Sequence, residues 1–185
     1  MNLVTDTTSL QAGAVPLVDV QSSRDNRHIA IDKVGIKGIR YPIKISDKTG
    51  EVQNTVAELT MAVFLPQQFK GTHMSRFVEI LEARHKSLDV QTFKELMPEM
   101  LHRLESQAGE IQMRFTYFIM KKAPISGVES YMDYDVTFVG KSEKGKHGLQ
   151  IKVVVPVTSL CPCSKEISKY GAHNQRSHIT ITAKL

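Results

Sequence analysis

The residues best equipped for chemistry in this 185-residue chain crowd into one stretch, TSLCPCSKEISKYGAHNQRSH at 158–178. It holds both cysteines, Cys161 and Cys163, and two of the seven histidines, His173 and His178. A thiolate and an imidazole together suit Zn²⁺ or another borderline divalent metal. Lys165 and Arg176 lie in the same stretch, where their charge would favour the thiolate. A thiol nucleophile is a second use of the same residue types. A third is plain structure, with two small buried cysteines and a surface histidine. A disulfide fits poorly, because only Pro162 separates the two sulfurs and leaves little room for unstrained bridge geometry. The spacing of Cys161 and His173 matches no zinc template, and two protein ligands are fewer than the three a catalytic zinc normally has.

These side chains must be held by the elements around them. Residues 148–158 and 177–185 read as strands, so the Cys–His stretch is a long loop between two antiparallel strands, with Lys169, Tyr170 and Gly171 in its turn region. Upstream, 34–46 and 52–65 show β-branched residues and rough alternation around Asp47-Lys48-Thr49-Gly50, which predicts a long β-hairpin closed by Pro66. Residues 73–84 place Met74, Phe77, Ile80 and Leu81 at helical spacing. A second helix is expected over 91–107, with Asp89 as its N-cap, Pro98 as a kink or break, and Gly109 as its stop. Its Met-rich face reads as core packing. Residues 110–120 alternate, with Ile111, Met113, Phe115, Tyr117 and Ile119 on one side, and 131–140 form another strand. The fold class is therefore α+β, a mainly antiparallel sheet with two helices packed on one face. The final strand leaves an exposed edge, which invites pairing with another subunit or a further part of the chain.

Composition narrows the setting. With 41% hydrophobic and 23% charged residues the chain has the balance of a soluble globular protein. The N-terminus lacks a basic region followed by an apolar run, and no segment approaches the length of a membrane span. The reading is cytoplasmic, with no membrane partner, reduced thiols, and residues 1–20 as a flexible arm. A net charge of +5 is spread along the chain without any aromatic-interleaved basic motif. A phosphorylated small molecule accounts for its sign as well as nucleic acid does, and no nucleic-acid partner is expected.

The order of residues is more specific than their spacing. PVTSLCPCSKEISKYGAHNQRSH at 156–178 closely resembles the signature loop of the type IB GTP cyclohydrolases, a prokaryotic family. QSSRDNRHIAIDKVGIKGIRYPI at 21–43, LPQQFKGTHMSRF at 65–77 and KKAPISGVESYMDYDV at 121–136 resemble the same family in the same order. The resemblance implies a tunnelling fold (T-fold) built of tandem modules, each of two strands, two helices and two strands. Residues 21–145 would be the first module and 146–185 the opening strand pair of a second, incomplete one that carries the metal-site loop. It further implies a homo-oligomer, a tetramer, with its sites at subunit interfaces.

The activity implied is conversion of GTP and water to 7,8-dihydroneopterin triphosphate and formate, the first step of tetrahydrofolate biosynthesis. It depends on a divalent metal, Zn²⁺, Mn²⁺ or Fe²⁺. On this resemblance Cys161 is a metal ligand, and His173 is a second ligand or a proton donor beside the metal; both count as catalytic. Arg176, Lys165 and Arg76 are candidate triphosphate clamps by residue type. His73 is a capping or packing residue or an acid at the purine. Cys163 and His178 default to structural or supporting roles, and Arg24 and Asp25 to tying down the arm or a neighbouring subunit. The resemblance also implies a Glu and a His that complete the metal site, and a Glu that anchors the guanine, all beyond residue 185. A chain ending at Leu185 is expected to be inactive alone. The alternatives are a tunnelling-fold enzyme of the queuosine pathway with a cysteine nucleophile, or an inactive, truncated purine-binding paralogue.

Overall fold

A computed structural model describes residues 20–21, 23–83, 87–169 and 171–185. Most of the expected N-terminal arm, Arg84 at the end of the first predicted helix, and Tyr170 of the predicted turn lie outside the described residues. Six strands form one antiparallel sheet in chain order: β1 (Ile31–Ser46), β2 (Val52–Leu65), β3 (Gly109–Lys122), β4 (Glu129–Glu143), β5 (Lys146–Leu160) and β6 (Asn174–Lys184). Helices α1 (Met74–Glu82) and α2 (Val90–Arg103) connect β2 to β3, and a short helix α3 (Pro162–Ile167) lies between β5 and β6. The α+β class and the six strands are those the pattern predicts. The third helix is a difference, since the whole of the β5–β6 connection reads as loop in sequence.

Period-two burial decides which face of the sheet meets the helices. Ala57, Leu59, Met61, Val63 and Leu65 of β2 are buried, as are Ile111, Met113 and Phe115 of β3. Tyr117 is half-buried and Ile119 is 39% exposed, so the expected apolar row is real but its far end runs out from under the helices. Phe77, Ile80 and Leu81 of α1 and Phe93, Met97 and Met100 of α2 close the core, with Phe93 edge-on to Phe138 at 5.2 Å between ring centroids. Met74 opens α1 at the expected helical spacing but is 40% exposed, so the buried stripe begins one turn later, at Phe77.

Local chemistry sets the helix boundaries. The Asp89 carboxylate accepts the Thr92 N–H at 2.7 Å, and the Thr92 hydroxyl accepts the Asp89 N–H at 2.7 Å, a reciprocal cap at the start of α2. The helix then continues through Pro98 to Arg103. Its stop is not Gly109. Glu105 takes the left-handed conformation (φ 52°), its N–H donates to the His102 carbonyl, and the Ser106 N–H donates to the Leu101 carbonyl at 3.0 Å. That is a Schellman closure made with a non-glycine residue. Gly109 serves packing instead, because a Cβ there would lie 2.9 Å from both the Ala62 carbonyl oxygen and Met100 Cε.

Two further ties matter for the site. Leu88, in the α1–α2 link, donates its N–H to the Lys44 carbonyl and accepts from the Ser46 N–H, covering part of the β1 edge. Arg24 and Asp25 secure the N-terminal segment within the chain: Arg24 bridges to Phe69, and the Asp25 N–H donates to the Gln68 carbonyl at 2.9 Å. Between β4 and β5 the turn is only Lys144-Gly145, both at positive φ, the two-residue type I′ pattern that matches strand twist. Hydrogen bonding runs unbroken from β4 into β5, across the point where the two modules were expected to meet. The fully buried core reaches Leu149 at the start of β5; Ile151, Val153 and Val155 beyond it are only partly buried against the core, and every residue of β6 is exposed.

The Asp89 cap gives a stability test. The Thr92 backbone N–H and then its hydroxyl hold the Asp89 carboxyl below the usual carboxylate range. A depressed folded-state pKa means the stabilisation is present above about pH 4 and is lost as pH falls through the folded value. Asp89→Ala is expected to lower unfolding free energy by about 1 kcal/mol at pH 7 and by less at pH 3. Urea unfolding at the two pH values measures it, and an equal loss at both would remove the carboxylate from the cap.

Candidate metal centre

The β5–β6 ladder brings the two predicted ligands together. Its register pairs Val155 with Ile179, Pro156 with His178, and finally Leu160 with Asn174. One step beyond that last pair stand Cys161 and His173, and the Cys161 N–H donates to the His173 carbonyl at 3.2 Å. The residues separated in sequence by a long connection thus face each other at the mouth of the hairpin. The stretch between them folds away as α3, for which Pro162 at the first helical position is preorganised and Cys161 is the N-cap residue. Both strands reach further toward the mouth than their sequence pattern indicates, to Leu160 and from Asn174.

Ser164 joins the pair. Its hydroxyl oxygen lies 2.6 Å from His173 Nδ1. The Cys161 thiol is held below its usual value, first by the Ser164 hydroxyl, then by the Ser164 amide, with a smaller contribution from Cys163. The cause therefore differs from the expected one, which was the charge of Lys165 and Arg176. Sequence reading passed over Ser164, although the signal was there. A proline that opens a helix makes the preceding residue the cap and sets Ser164 at the third helical position, the one whose groups turn back toward the cap. Cys161 is half-buried and Cys163 exposed, and both are free thiols.

The other predicted residues divide. Lys165 is exposed on α3, and its N–H donates to the Cys161 carbonyl at 3.2 Å, so its backbone at least is at the centre. Arg176 and His178 sit on β6, on the sheet face opposite the helices. With Tyr131, Asp133, Asp135 and Thr158 they line a cavity of about 420 Å³. His73 and Arg76 lie elsewhere. His73 is the N-cap residue of α1, and Arg76 donates to the Arg103 carbonyl at 2.9 Å and faces Glu105 at 3.6 Å. That corner is the end of the sheet where β2 finishes, β3 begins and β5 begins, as the pairs Val63–Gly109, Gly109–Ser142 and Ser142–His147 require. Cys161 follows the other end of β5, whose fifteen residues span roughly 45–50 Å at about 3.3 Å each. Within one chain the structure does not bring His73 and Arg76 to Cys161.

The donor set fits a borderline divalent cation, with one soft thiolate and one imidazole oriented by a hydroxyl. Among the described residues no group of three or more His, Cys, Asp or Glu side chains is placed to hold a metal. Among them, too, no helix is long and apolar enough to cross a membrane.

Comparison with known proteins bears on the same residues. The family described as "Type I GTP cyclohydrolase folE2" matches residues 17–185. The chain is 58% identical over 184 residues to GTP cyclohydrolase FolE2 of Thiobacillus denitrificans, covering 100% of this chain and 66% of that protein. It is 59% identical over 175 residues to GTP cyclohydrolase FolE2 of Azoarcus sp., covering 94% and 64%. It is 60% identical over 166 residues to GTP cyclohydrolase FolE2 2 of Dechloromonas aromatica, covering 90% and 62%. The chain thus spans slightly under two thirds of the length of these curated relatives.

The ligand assignment separates the two cysteines. In the intact natural protein, stripped of metal, iodoacetamide is expected to alkylate both Cys161 and Cys163. Prior addition of Zn²⁺ should protect Cys161 and leave Cys163 reactive, read by peptide mass spectrometry. Protection of Cys163 alone would transfer the ligand role to it.

Proposed function

This chain belongs to the type I GTP cyclohydrolase FolE2 family, and on that footing we propose that it serves a metal-dependent GTP cyclohydrolase activity. The reaction takes GTP and water to 7,8-dihydroneopterin triphosphate and formate, the entry to tetrahydrofolate. The observation that carries the reading is the meeting of Cys161 and His173 at the mouth of the β5–β6 hairpin, in the stretch that resembles the family's signature loop. The relatives above bear the cyclohydrolase name, which favours this reading over a cysteine nucleophile of the queuosine type.

Zn²⁺, Mn²⁺ or Fe²⁺ would be held by Cys161 and His173. Held by these two residues, a divalent cation would supply Lewis acidity toward water near neutral pH for hydrolysis at C8 of the purine. Cys161 enters as thiolate, which its hydrogen bonds already favour. His173 offers a ring nitrogen on the side away from Ser164. Two donors fall short of the three protein ligands that catalytic sites normally use. Further donors, and a carboxylate for guanine, would have to come from outside these 185 residues, from the kind of segment by which the relatives are longer or from another subunit.

The triphosphate requires cations. Arg176, three residues along β6 from His173, and Lys165 on α3 serve it from the same chain as the metal centre. His73 and Arg76, at the opposite end of the sheet, reach such a site only from a neighbouring subunit. A homotetramer with sites at its interfaces satisfies that geometry, as do the exposed edge of β6 and the uncovered apolar residues Ile179 and Ile181, 52% and 56% exposed.

The test uses the intact natural protein, freed of metal and then given Zn²⁺ or Mn²⁺ with GTP. Pterin fluorescence and an equal amount of formate are expected, and neither should form without metal. Cys161→Ala is expected to lose at least about a hundredfold in kcat, more than loss of a supporting residue typically costs. Full turnover in that variant would sink the assignment of Cys161.

A further inference from the structure

Pro156 occupies a position where sheets seldom hold proline, inside β5, with β4 on one side and β6 on the other. Proline has no N–H, so its donor side must be one that the ladder does not use. Two bonds identify that side. The Leu149 carbonyl accepts from the Leu185 N–H at 2.9 Å, and the Cys161 N–H donates to the His173 carbonyl at 3.2 Å. Main-chain groups alternate in direction along a strand, so the odd-numbered residues of β5 turn toward β6 and the even-numbered ones toward β4. The donor that Pro156 lacks is therefore one that β4 would have received, opposite Asp133. The β4–β5 ladder stops just before this point, at Asp135–Val154, although β4 starts at Glu129 and β5 continues to Leu160.

The ladder on the other side of the β3–β4 ribbon stops at the same level. Its last pair is Ala57–Phe115, next to the pair Thr116–Asp135 within the ribbon. The two gaps that open beyond this level differ. Side chains bridge the one toward β2. The Thr55 hydroxyl donates to the Thr116 carbonyl at 3.0 Å, and the Gln53 amide donates to the Phe118 carbonyl at 2.7 Å and accepts its N–H at 3.1 Å. Among the described residues no side-chain hydrogen bond or ion pair spans the gap toward β5. There the cavity of about 420 Å³ lies between Tyr131 and Asp133 on one wall and Thr158, Arg176 and His178 on the other. Its volume is in the range of small-molecule sites, about 300–1,000 Å³. Arg114 offsets the charge of Asp135 at 2.9 Å, so Arg176 can attract an anion, while Asp133 offers an acceptor to hydroxyl or amino groups.

We propose that Pro156 is a positioning residue that withholds one N–H, stops β4 and β5 from zipping together, and so keeps open a cavity for the phosphate end of a ligand at Arg176. The inference rests on the reading of Arg176 as a phosphate clamp and adds to it the cavity and the residue that preserves it. Pro156 acts through the spacing of the two strands, with no part in bond making or breaking.

Hydrogen exchange and calorimetry on the intact natural protein, freed of metal so that nothing turns over, test both halves of this. The amides of Asp133 and Thr158, which face the gap, are expected to exchange quickly and to slow when tripolyphosphate or GTP binds. Slow exchange there without ligand would overturn the proposal without any variant, and so would exchange that neither anion slows. Pro156→Val supplies the missing N–H on a strand-forming side chain. Its new amide is expected to be protected, and affinity for both anions to fall about tenfold or more, the worth of one hydrogen bond to a charged group. Unprotected exchange of that amide in the folded variant, or undiminished binding once it is protected, sinks the proposal. If tripolyphosphate behaves as expected but GTP is neither bound nor converted when Zn²⁺ is restored, the cyclohydrolase reading fails and the role of Pro156 stands.

Discussion

The register of the β5–β6 hairpin is the constraint on which the candidate site depends. Because side chains alternate across a strand, a slip of one residue would send Ile179 and Ile181 to the opposite face and part Cys161 from His173. Among the described residues, the register at the mouth is tied only by the Cys161 N–H to the His173 carbonyl and by the Ser164–His173 contact. It is inherited from the other side. The tight Lys144-Gly145 turn fixes β5 on β4, Leu149 anchors β5 in the core, and the Leu185 N–H bonds to the Leu149 carbonyl at 2.9 Å. The last strand is thereby clamped at the end far from the chemistry, and the ladder transmits the alignment along the whole of β5.

This arrangement divides the molecule by burial. From β1 to β4 the sheet has α1 and α2 on one face and a continuous apolar core, where most of the favourable free energy of folding resides. Beyond Leu149 that cover stops. Val153 and Val155 are half-buried, their partners Ile181 and Ile179 are more than half exposed, and all of β6 faces solvent. A candidate site on this hairpin therefore stands on a rigid base but lies outside the core. That placement makes sense of a site completed by further chain or a second copy, because an uncovered apolar strand pair with an unpaired edge is a surface that has not finished burying itself.

Much of this was legible in the sequence, and the misses have physical causes. β-branched residues, rough alternation and turn signals located the six strands, and the Asp89 cap was readable because Asp three residues ahead of a hydrogen-bonding side chain is a local signal. The stop of α2 was misread because Gly109 is the residue type expected there, whereas the chain ends the helix with Glu105 in a conformation that no residue type announces. Helical spacing placed Met74 in the first helix, but its exposure was not legible, because spacing gives a face and not where the underlying strand ends. For the site, Cys161 and His173 were legible as types; their juxtaposition was not, since it follows from a ladder register that depends on pairing with β4. The distance between His73 and Cys161 was invisible for the same reason, as resemblance names residues without saying which share a chain's end of the sheet.

The control of the thiol by Ser164 rather than by Lys165 and Arg176 has a consequence for how the charges can be used. Solvent-exposed cations act on a sulfur through water and salt, which weaken them steeply with distance. A hydroxyl and an amide in contact act at full strength and do not depend on ionic conditions. Had the two cations been committed to stabilising the thiolate, a highly charged anion brought to the site would compete for them and raise the thiol pKa as it bound. The leading causes that lower the Cys161 thiol are hydrogen bonds on α3, so Lys165 and Arg176 are not needed for that task. The sequence places the candidate ligand and the candidate clamps within the same short stretch, and the hydrogen bonds on the candidate ligand come from α3.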